Sequence, residues 1–200
     1  QKPSLALFDF DGTITDKDMF SAFLRYAVSG PRKWLGQVVI LPFYTLYKTG
    51  VLPAKRMRPI ACFIAFAGRR TQEVETLGAQ FAQEVIVKHI RLEAQAKLDW
   101  HQTRGDTIVV VSASLNAYLI PWCNTHGYQL LCSELLSENK RISGFYQSGD
   151  CSLERKVERI KAAYCVNQYE TIYAYGDTRE DIPMLKLADH ATMNWQPWRR

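Results

Sequence analysis

The sequence LFDFDGTITDKD, residues 7–18, decides the fold because it joins an apolar run directly to a dense set of carboxylates. Four acids stand within ten positions: Asp9, Asp11, Asp16 and Asp18. Like charges this close repel one another unless a positive group lies beside them. The stretch therefore predicts the end of a buried strand, with a cation or a cationic side chain next to it.

Two later stretches resemble the start of this one. Residues 4–10, 107–114 and 171–177 are continuously apolar rather than alternating, and each is bounded by polar residues or glycine. Continuous apolar runs of this length are typical of strands buried on both faces, as in a parallel sheet covered by helices. The sequence predicts an α/β fold with a doubly wound parallel sheet.

Helical patterns lie between the predicted strands, over residues 84–105 and 152–164. Ser152 is the expected N-cap of the second helix. A turn followed by a short strand is predicted over residues 138–147.

The segment 19–85 does not follow the alternation of strands and helices. It is predicted to be an inserted, basic and apolar helical cap, and residues 1–18 and 86–200 are predicted to form the α/β core. Between Met19 and Gln72 there is no acid, but there are nine basic residues: Arg25, Arg32, Lys33, Lys48, Lys55, Arg56, Arg58, Arg69 and Arg70. Such a surface favours an anionic membrane or phosphate, and Arg56 and Arg58 are expected to face it.

Two uncharged apolar runs lie in the cap, over residues 34–47 and 59–68. At 14 and 10 residues they are shorter than the roughly 20 residues that span a bilayer. Two interpretations stay open: an interfacial helical hairpin at a membrane surface, or two buried helices in the core of the cap. The aliphatic residues between the basic ones argue against nucleic acid as a partner.

The five cysteines are widely spaced and include no CxxC pair, so neither a disulfide framework nor a zinc site is indicated. We expect reduced thiols in a cytoplasmic protein. If the cap is interfacial, it would attach the protein to the inner membrane in a peripheral or monotopic way. The first apolar run is not expected to be a discarded signal peptide, because it carries the acids.

The chemistry is indicated by two pairs of acids. Asp9 and Asp11 stand at i and i+2 where a strand ends, and Asp177 and Asp181 follow another apolar run. Because ligands bind at the carboxyl edge of parallel sheets, both pairs are expected at one edge. Mg²⁺ is the natural cation there, since it accepts a few carboxylates and also binds phosphate oxygens.

A phosphate site is predicted beside these acids. Ser112 ends the second strand, where its hydroxyl and the following backbone N–H groups can bind phosphoryl oxygens. Lys156 lies in the first predicted turn of a helix and reaches the same edge. Taken singly, Ser112 is as well explained as a helix cap and Lys156 as a solvated surface residue.

Together these residues resemble the four motifs of the haloacid dehalogenase superfamily: DxDGT at 9–13, a serine at Ser112, a lysine at Lys156 and GDxxxD at 176–181. The insertion after the first motif resembles the C1 cap of subfamily IB, the phosphoserine phosphatase-like branch. The resemblance implies a Rossmann-like core and hydrolysis of phosphomonoesters through an aspartyl-phosphate.

The same resemblance implies roles for individual residues. Asp9 is the expected nucleophile and Asp11 the general acid and base. The expected Mg²⁺ ligands are Asp9, Asp11 through its backbone carbonyl, Asp177 and Asp181. The transferring phosphoryl group is expected to meet Thr13, Ser112, Ala113 and Lys156.

For the substrate, KDMFSAFLRY at 17–26 and the apolar cap resemble the bacterial phosphatidylglycerophosphate phosphatases, known as phosphatidylglycerophosphatase C, which implies a lipid phosphate. The alternative is a soluble ester such as phosphoserine. In that case Asp18, nine residues after Asp9, contacts the leaving group, although it also suits a helix cap. An alternative of another class is a non-catalytic module that binds a membrane surface.

Overall fold

The computed structural model describes residues 3–199 of the chain. Eight strands lie in this range: β1 (Leu5–Phe8), β2 (Thr107–Leu115), β3 (Gln129–Ser133), β4 (Leu135–Glu138), β5 (Arg141–Tyr146), β6 (Ile172–Gly176), β7 (His190–Met193) and β8 (Gln196–Trp198). The same residues form eight α-helices: α1 (Met19–Ala27), α2 (Gly30–Lys48), α3 (Ala54–Phe66), α4 (Thr71–Glu84), α5 (Leu92–Arg104), α6 (Asn116–His126), α7 (Glu154–Ala163) and α8 (Ile182–Leu185).

The central sheet has the strand order β3-β2-β1-β6-β7-β8, parallel except for β8, which pairs antiparallel with β7. All four residues of β1 are buried. Leu5 and Leu7 belong to one apolar layer, and Ala6 and Phe8 belong to the layer on the other face. Burial on both faces explains the continuous apolar run, and the predicted α/β fold with its parallel sheet is confirmed.

A small hairpin stands beside the central sheet. Strands β4 and β5 pair antiparallel, and Asn139 and Lys140 in the turn between them have positive φ values of 50° and 62°. The predicted turn and short strand over 138–147 are therefore confirmed.

The helix predicted over 84–105 is broken, so that prediction is wrong for its first third. Helix α4 ends at Glu84, and α5 begins only at Leu92. Between them the backbone N–H of Arg91 donates to the Ile14 carbonyl, and Thr15 and Ile90 form an antiparallel bridge. The segment before α5 thus pairs with the segment that follows β1. These long-range hydrogen bonds replace the helical ones that were predicted.

The N-cap predicted at Ser152 is also wrong. Helix α7 begins at Glu154, and the position before it is Leu153, whose φ is +53°. The Ser152 hydroxyl instead donates to the carboxylate of Asp150 at 2.6 Å. This local hydrogen bond, to a residue two positions earlier, occupies the side chain that was expected to cap the helix.

Helices α1 to α4 lie between β1 and β2 in the chain, over the region for which a cap was predicted. The two apolar runs have different environments. In α3, Met57, Ala61, Cys62, Ala65 and Phe66 are buried, whereas α2 has no buried residue. Within residues 3–199, every helix falls short of the length or the apolar character that crossing a bilayer requires.

The contact between α4 and α6 depends on Gly78. A Cβ at this position would lie 2.0 Å from the carbonyl oxygen of Ala117, which is backbone and cannot rotate away. We expect Gly78→Ala to lower the free energy of unfolding by about 1–3 kcal/mol, the usual cost of overpacking, as measured by urea denaturation. Gln80→Ala, at an exposed position of the same helix, is the control. Equal stabilities for the two variants would contradict the close approach.

Candidate active site at the carboxyl edge of the sheet

The acids at the ends of β1 and β6 meet at one edge of the sheet. Phe8 of β1 pairs with Tyr175 of β6, and the Asp9 N–H donates to the Tyr175 carbonyl at 2.9 Å. Asp9, Asp177 and Asp181 each offer one carboxylate oxygen within 4.8 Å of the others. The structure thus brings together three of the four acids that the sequence predicts as metal ligands.

Lys156 supplies positive charge to this cluster. Its side chain is 2% exposed, and its Nζ donates to Asp9 Oδ1 at 2.5 Å and to Asp181 Oδ1 at 2.7 Å. Burial disfavours the charged ammonium, but the carboxylates of Asp181 and Asp9 outweigh burial and raise the pKa of Lys156 above its ordinary value. Although burial disfavours ionisation of Asp181, the ammonium holds its pKa below the ordinary value.

Two carboxylates remain incompletely balanced. Burial, and next the charge of Asp181, raise the pKa of Asp9 well above its usual range. The same two causes raise the pKa of Asp177 to about 6. Three clustered acids, two of them buried, have one lysine beside them, and a divalent cation would supply further positive charge.

Glycines shape the space beside these acids. Gly12 has φ +80°, and a Cβ there would lie 2.1 Å from Asp177 Oδ2. A Cβ at Gly176 would lie 2.5 Å from the Cβ of Asp181. Side chains are therefore excluded where the carboxylates converge. A cluster of hard oxygen donors with surplus negative charge fits Mg²⁺.

Asp11 lies apart from the cluster and has different partners. Its Oδ1 accepts a hydrogen bond from the Met19 N–H at 2.6 Å, and its Oδ2 accepts one from the Ser114 hydroxyl. The Tyr118 hydroxyl in turn donates to Ser114 Oγ at 2.6 Å. Burial raises the pKa of Asp11 to about 7, against the lowering effect of the Ser114 hydrogen bond.

Ser114 and Tyr118 are site residues that the sequence reasoning missed. A signal for Ser114 was present, because in SAS at 112–114 the second serine is two positions from Ser112 and so faces the same side of the strand. Tyr118 carried no such signal, since its place beside Ser114 depends on how α6 leaves β2.

The remaining predicted phosphate-binding residues lie around the same edge. Ser112 is buried, and its Oγ accepts the Ser114 N–H at 3.0 Å. Thr13 is also buried, and its hydroxyl is 3.5 Å from Asp177 Oδ1. Ala113 lines the cavity above the acids. Asp18 lines it too, but Asp18 Oδ1 accepts the Ser21 N–H at 3.0 Å and caps α1.

A cavity of about 1020 Å³ opens above the acids. The acids, Ser112 and Lys156 lie at one end, and α1, α2 and α3 form walls that include Phe20, Leu24, Ile40, Met57, Ala61 and Ile64. Most of this wall is apolar, which suits a ligand with a phosphate at one end and an apolar body.

Arg58 is the basic residue of α3 on the cavity wall. Its guanidinium forms ion pairs with Asp150 at 2.7 Å and Glu180 at 3.0 Å. The expectation that Arg58 faces a membrane is therefore wrong, because these two acids hold the side chain inward. Arg56, by contrast, is exposed.

Comparisons with known proteins agree with this geometry. A family model described as haloacid dehalogenase-like hydrolase matches residues 6–186. Protein CicA of Caulobacter vibrioides is 31% identical over 194 residues, which cover 94% of this chain and 84% of CicA. A histidinol-phosphatase of Neisseria meningitidis is 25% identical, over 92% of this chain and 86% of its own.

Solved structures share the fold. A Bordetella pertussis protein with unknown function has a TM-score of 0.78 at 20% identity, covering 96% of this chain and 89% of that one. A substrate-bound phosphoserine phosphatase has a TM-score of 0.67 at 18% identity, covering 96% and 86%. At these identities the likeness shows the fold alone.

Added Mg²⁺ should stabilise the folded chain, because a ligand that binds only the folded state raises the free energy of unfolding. At about 100 times the dissociation constant the gain is about 2.7 kcal/mol. Asp177→Asn should remove most of this gain, as measured by thermal melting with and without Mg²⁺. Asp99→Asn, at an exposed position of α5, should keep it. An equal Mg²⁺ response in all three proteins would argue against the site.

Proposed function

The chain belongs to the haloacid dehalogenase-like hydrolase family and is a phosphomonoesterase, and we propose that it works through an aspartyl-phosphate with Mg²⁺ as cofactor. The observation that carries this mechanism is the unlike environment of two neighbouring acids. Asp9 is bound to Lys156 in the acid cluster, whereas Asp11 is bound to Ser114 outside it. Unlike environments are how two carboxyl groups take different roles in one reaction.

Asp9 is the proposed nucleophile. Its Oδ1 is held by Lys156, so its Oδ2 is the oxygen that would attack phosphorus in line and displace the ester oxygen. Burial and the charge of Asp181 raise the pKa of this carboxyl group, and the ammonium of Lys156 acts against them by stabilising the ionised form. Water then cleaves the acyl phosphate and restores Asp9.

Asp11 is the proposed general acid and then the general base. With a pKa of about 7 it can donate a proton to the departing ester oxygen and afterwards take one from the attacking water. The Ser114 hydroxyl, itself accepting from Tyr118, orients this carboxylate. Asp11 thus needs no contact with the acid cluster.

The groups around the phosphoryl position stabilise its charge. Lys156 supplies an ammonium, Thr13 and Ser112 supply hydroxyls, and Ala113 supplies a backbone N–H. Mg²⁺ would be held by the carboxylates of Asp9, Asp177 and Asp181, with the backbone carbonyl of Asp11 as a further proposed ligand. When bound, it would neutralise charge on the phosphate oxygens.

Asp9→Asn should abolish phosphate release, because an amide cannot act as the nucleophile. We expect at least a thousandfold loss of kcat, measured as inorganic phosphate from a monoester panel, and a similar loss when Mg²⁺ is chelated. Asp16→Asn, at an exposed acid of the same stretch, should stay active. Turnover by Asp9→Asn near that of the parent would refute the aspartyl-phosphate.

For the substrate we propose a lipid phosphate such as phosphatidylglycerophosphate, the class that the subfamily IB resemblance implies. The apolar cavity wall and the unburied α2 support it. Trp34, Leu35 and Val38 of α2 are 69–75% exposed, and Lys33 and Lys48 stand near its two ends. An apolar helix flanked by lysines fits the surface of an anionic membrane.

This proposal treats residues 19–85 as a cap that docks on the cytoplasmic face of the inner membrane, while residues 1–18 and 86–200 carry out catalysis. The soluble alternative, with phosphoserine as substrate, is weakened by Asp18, whose carboxylate already caps α1. A non-catalytic membrane module would leave the buried Lys156 and the three clustered acids without a use.

The decisive comparison is Mg²⁺-dependent phosphate release from phosphatidylglycerophosphate in mixed micelles beside phosphoserine and histidinol phosphate. The lipid should have the highest kcat/KM by at least tenfold, because its apolar body fills the cavity wall. A preference for either soluble ester would contradict the lipid proposal and indicate that the cavity binds a substrate with a small leaving group.

A matched pair of variants separates membrane docking from catalysis. Val38 of α2 is 71% exposed and Val87, between α4 and α5, is 54% exposed. Val38→Glu should weaken sedimentation with anionic vesicles about tenfold, since burial of one valine contributes about 1.5 kcal/mol or more, and Val87→Glu should not. Turnover of soluble esters should stay unchanged in both. Equal vesicle binding by the two variants would contradict the proposal that the cap docks on a membrane.

A further inference from the structure

Three charged side chains from distant parts of the chain meet at the cavity, and two of them, Arg58 and Glu180, line it. Arg58 comes from α3, Glu180 lies beside Asp181, and Asp150 lies between β5 and α7. Arg58 Nε and Nη2 donate to the two oxygens of Asp150 at 2.9 and 2.7 Å, and Nη2 also donates to Glu180 Oε2 at 3.0 Å. We refer to Arg58, Asp150 and Glu180 as the wall triad.

The wall triad is buried enough for its charges to matter. The side chains are 17%, 6% and 31% exposed for Arg58, Asp150 and Glu180. One guanidinium with two carboxylates carries a net charge of −1. Because bidentate pairing is the strongest geometry open to a guanidinium, Arg58 is held by Asp150 and is not free to turn to a ligand.

This arrangement affects what can occupy the cavity. Arg58 and Glu180 both line it, so a leaving group there meets a guanidinium whose charge two protein acids already offset. Bringing a carboxylate to Arg58 would place a third anion beside this one guanidinium. An uncharged or apolar leaving group meets no such repulsion.

We infer that the wall triad is a specificity determinant that excludes phosphate esters whose leaving group carries a carboxylate. The carboxylate of Glu180 changes the net charge of the wall triad from zero to −1. The inference rests on the proposed phosphomonoesterase function, and it deepens that proposal by setting the charge of the leaving group. Neither Glu180 nor Asp150 needs to contact the reacting atoms to act in this way.

The test changes the charge of the wall in steps. In an Asp9→Asn background, which permits binding without turnover, calorimetry with Mg²⁺ gives dissociation constants for 3-phosphoglycerate and glycerol 3-phosphate. These two esters differ by a carboxylate in place of a hydroxymethyl group. Glu180→Gln should shift the ratio of affinities about tenfold towards 3-phosphoglycerate, the value of one charge-assisted hydrogen bond, and adding Asp150→Asn should shift it further.

Two controls separate charge from disturbance of the fold. Arg58→Met added to the Glu180→Gln and Asp150→Asn variant should reverse the gain, because the wall triad then carries no cation. Glu158→Gln removes an acid that pairs with Arg155 and is 59% exposed, and it should leave the ratio unchanged. All of these side chains are replaced by polar or apolar groups of similar size.

Each result is decisive. An unchanged ratio in Glu180→Gln and in the double variant, or a gain that survives Arg58→Met, would overturn the inference. So would the absence of binding of either ester to every variant. A stepwise shift in affinity together with no turnover by the parent chain would support the wall triad and reject the hydrolysis, so the two proposals fail separately.

Discussion

The site depends on one buried ion pair network, in which the ammonium of Lys156 lies between Asp9 and Asp181. The two acids follow different strands, and their mutual repulsion in a poorly solvated place would otherwise oppose the packing of those strands. Lys156 comes from a third element, α7, so the network joins three separate parts of the chain. The same contact therefore stabilises the fold and prepares the charge at which a phosphate would bind.

A second consequence is the separation of Asp9 from Asp11. The irregular turn at Phe10–Ile14 directs one acid to the cluster and the other to Ser114 on β2. Burial raises the pKa of both, but only Asp9 has an ammonium beside it. Two positions in the chain thus separate a carboxylate suited to attack from a carboxyl group suited to proton transfer.

Charge pairing also connects the segment between β1 and β2 to the rest of the chain. The stretch from Met19 to Gln72 contains no acid, and Arg58 of α3 finds its two carboxylates outside that stretch. Asp150 and Glu180 provide them, and the contact ties α3 to the edge that carries the cluster. The apolar residues of α2 remain exposed, which is where a lipid surface would be accommodated.

The sequence by itself determined the parallel sheet, the acids at its carboxyl edge and the family, because burial periodicity and short motifs are local properties of the chain. It left open which apolar run is buried, and it missed Ser114 with Tyr118, the break before Leu92 and the displaced start of α7. Only the tertiary structure decided the place of Ser114 beside Asp11 and the break before Leu92, since both depend on partners far away in the chain. Arg58 and Glu180 are 122 positions apart, and Ser114 and Asp11 are 103 apart. Composition shows that a basic residue exists, but the direction of its side chain follows from the acids that packing brings to it.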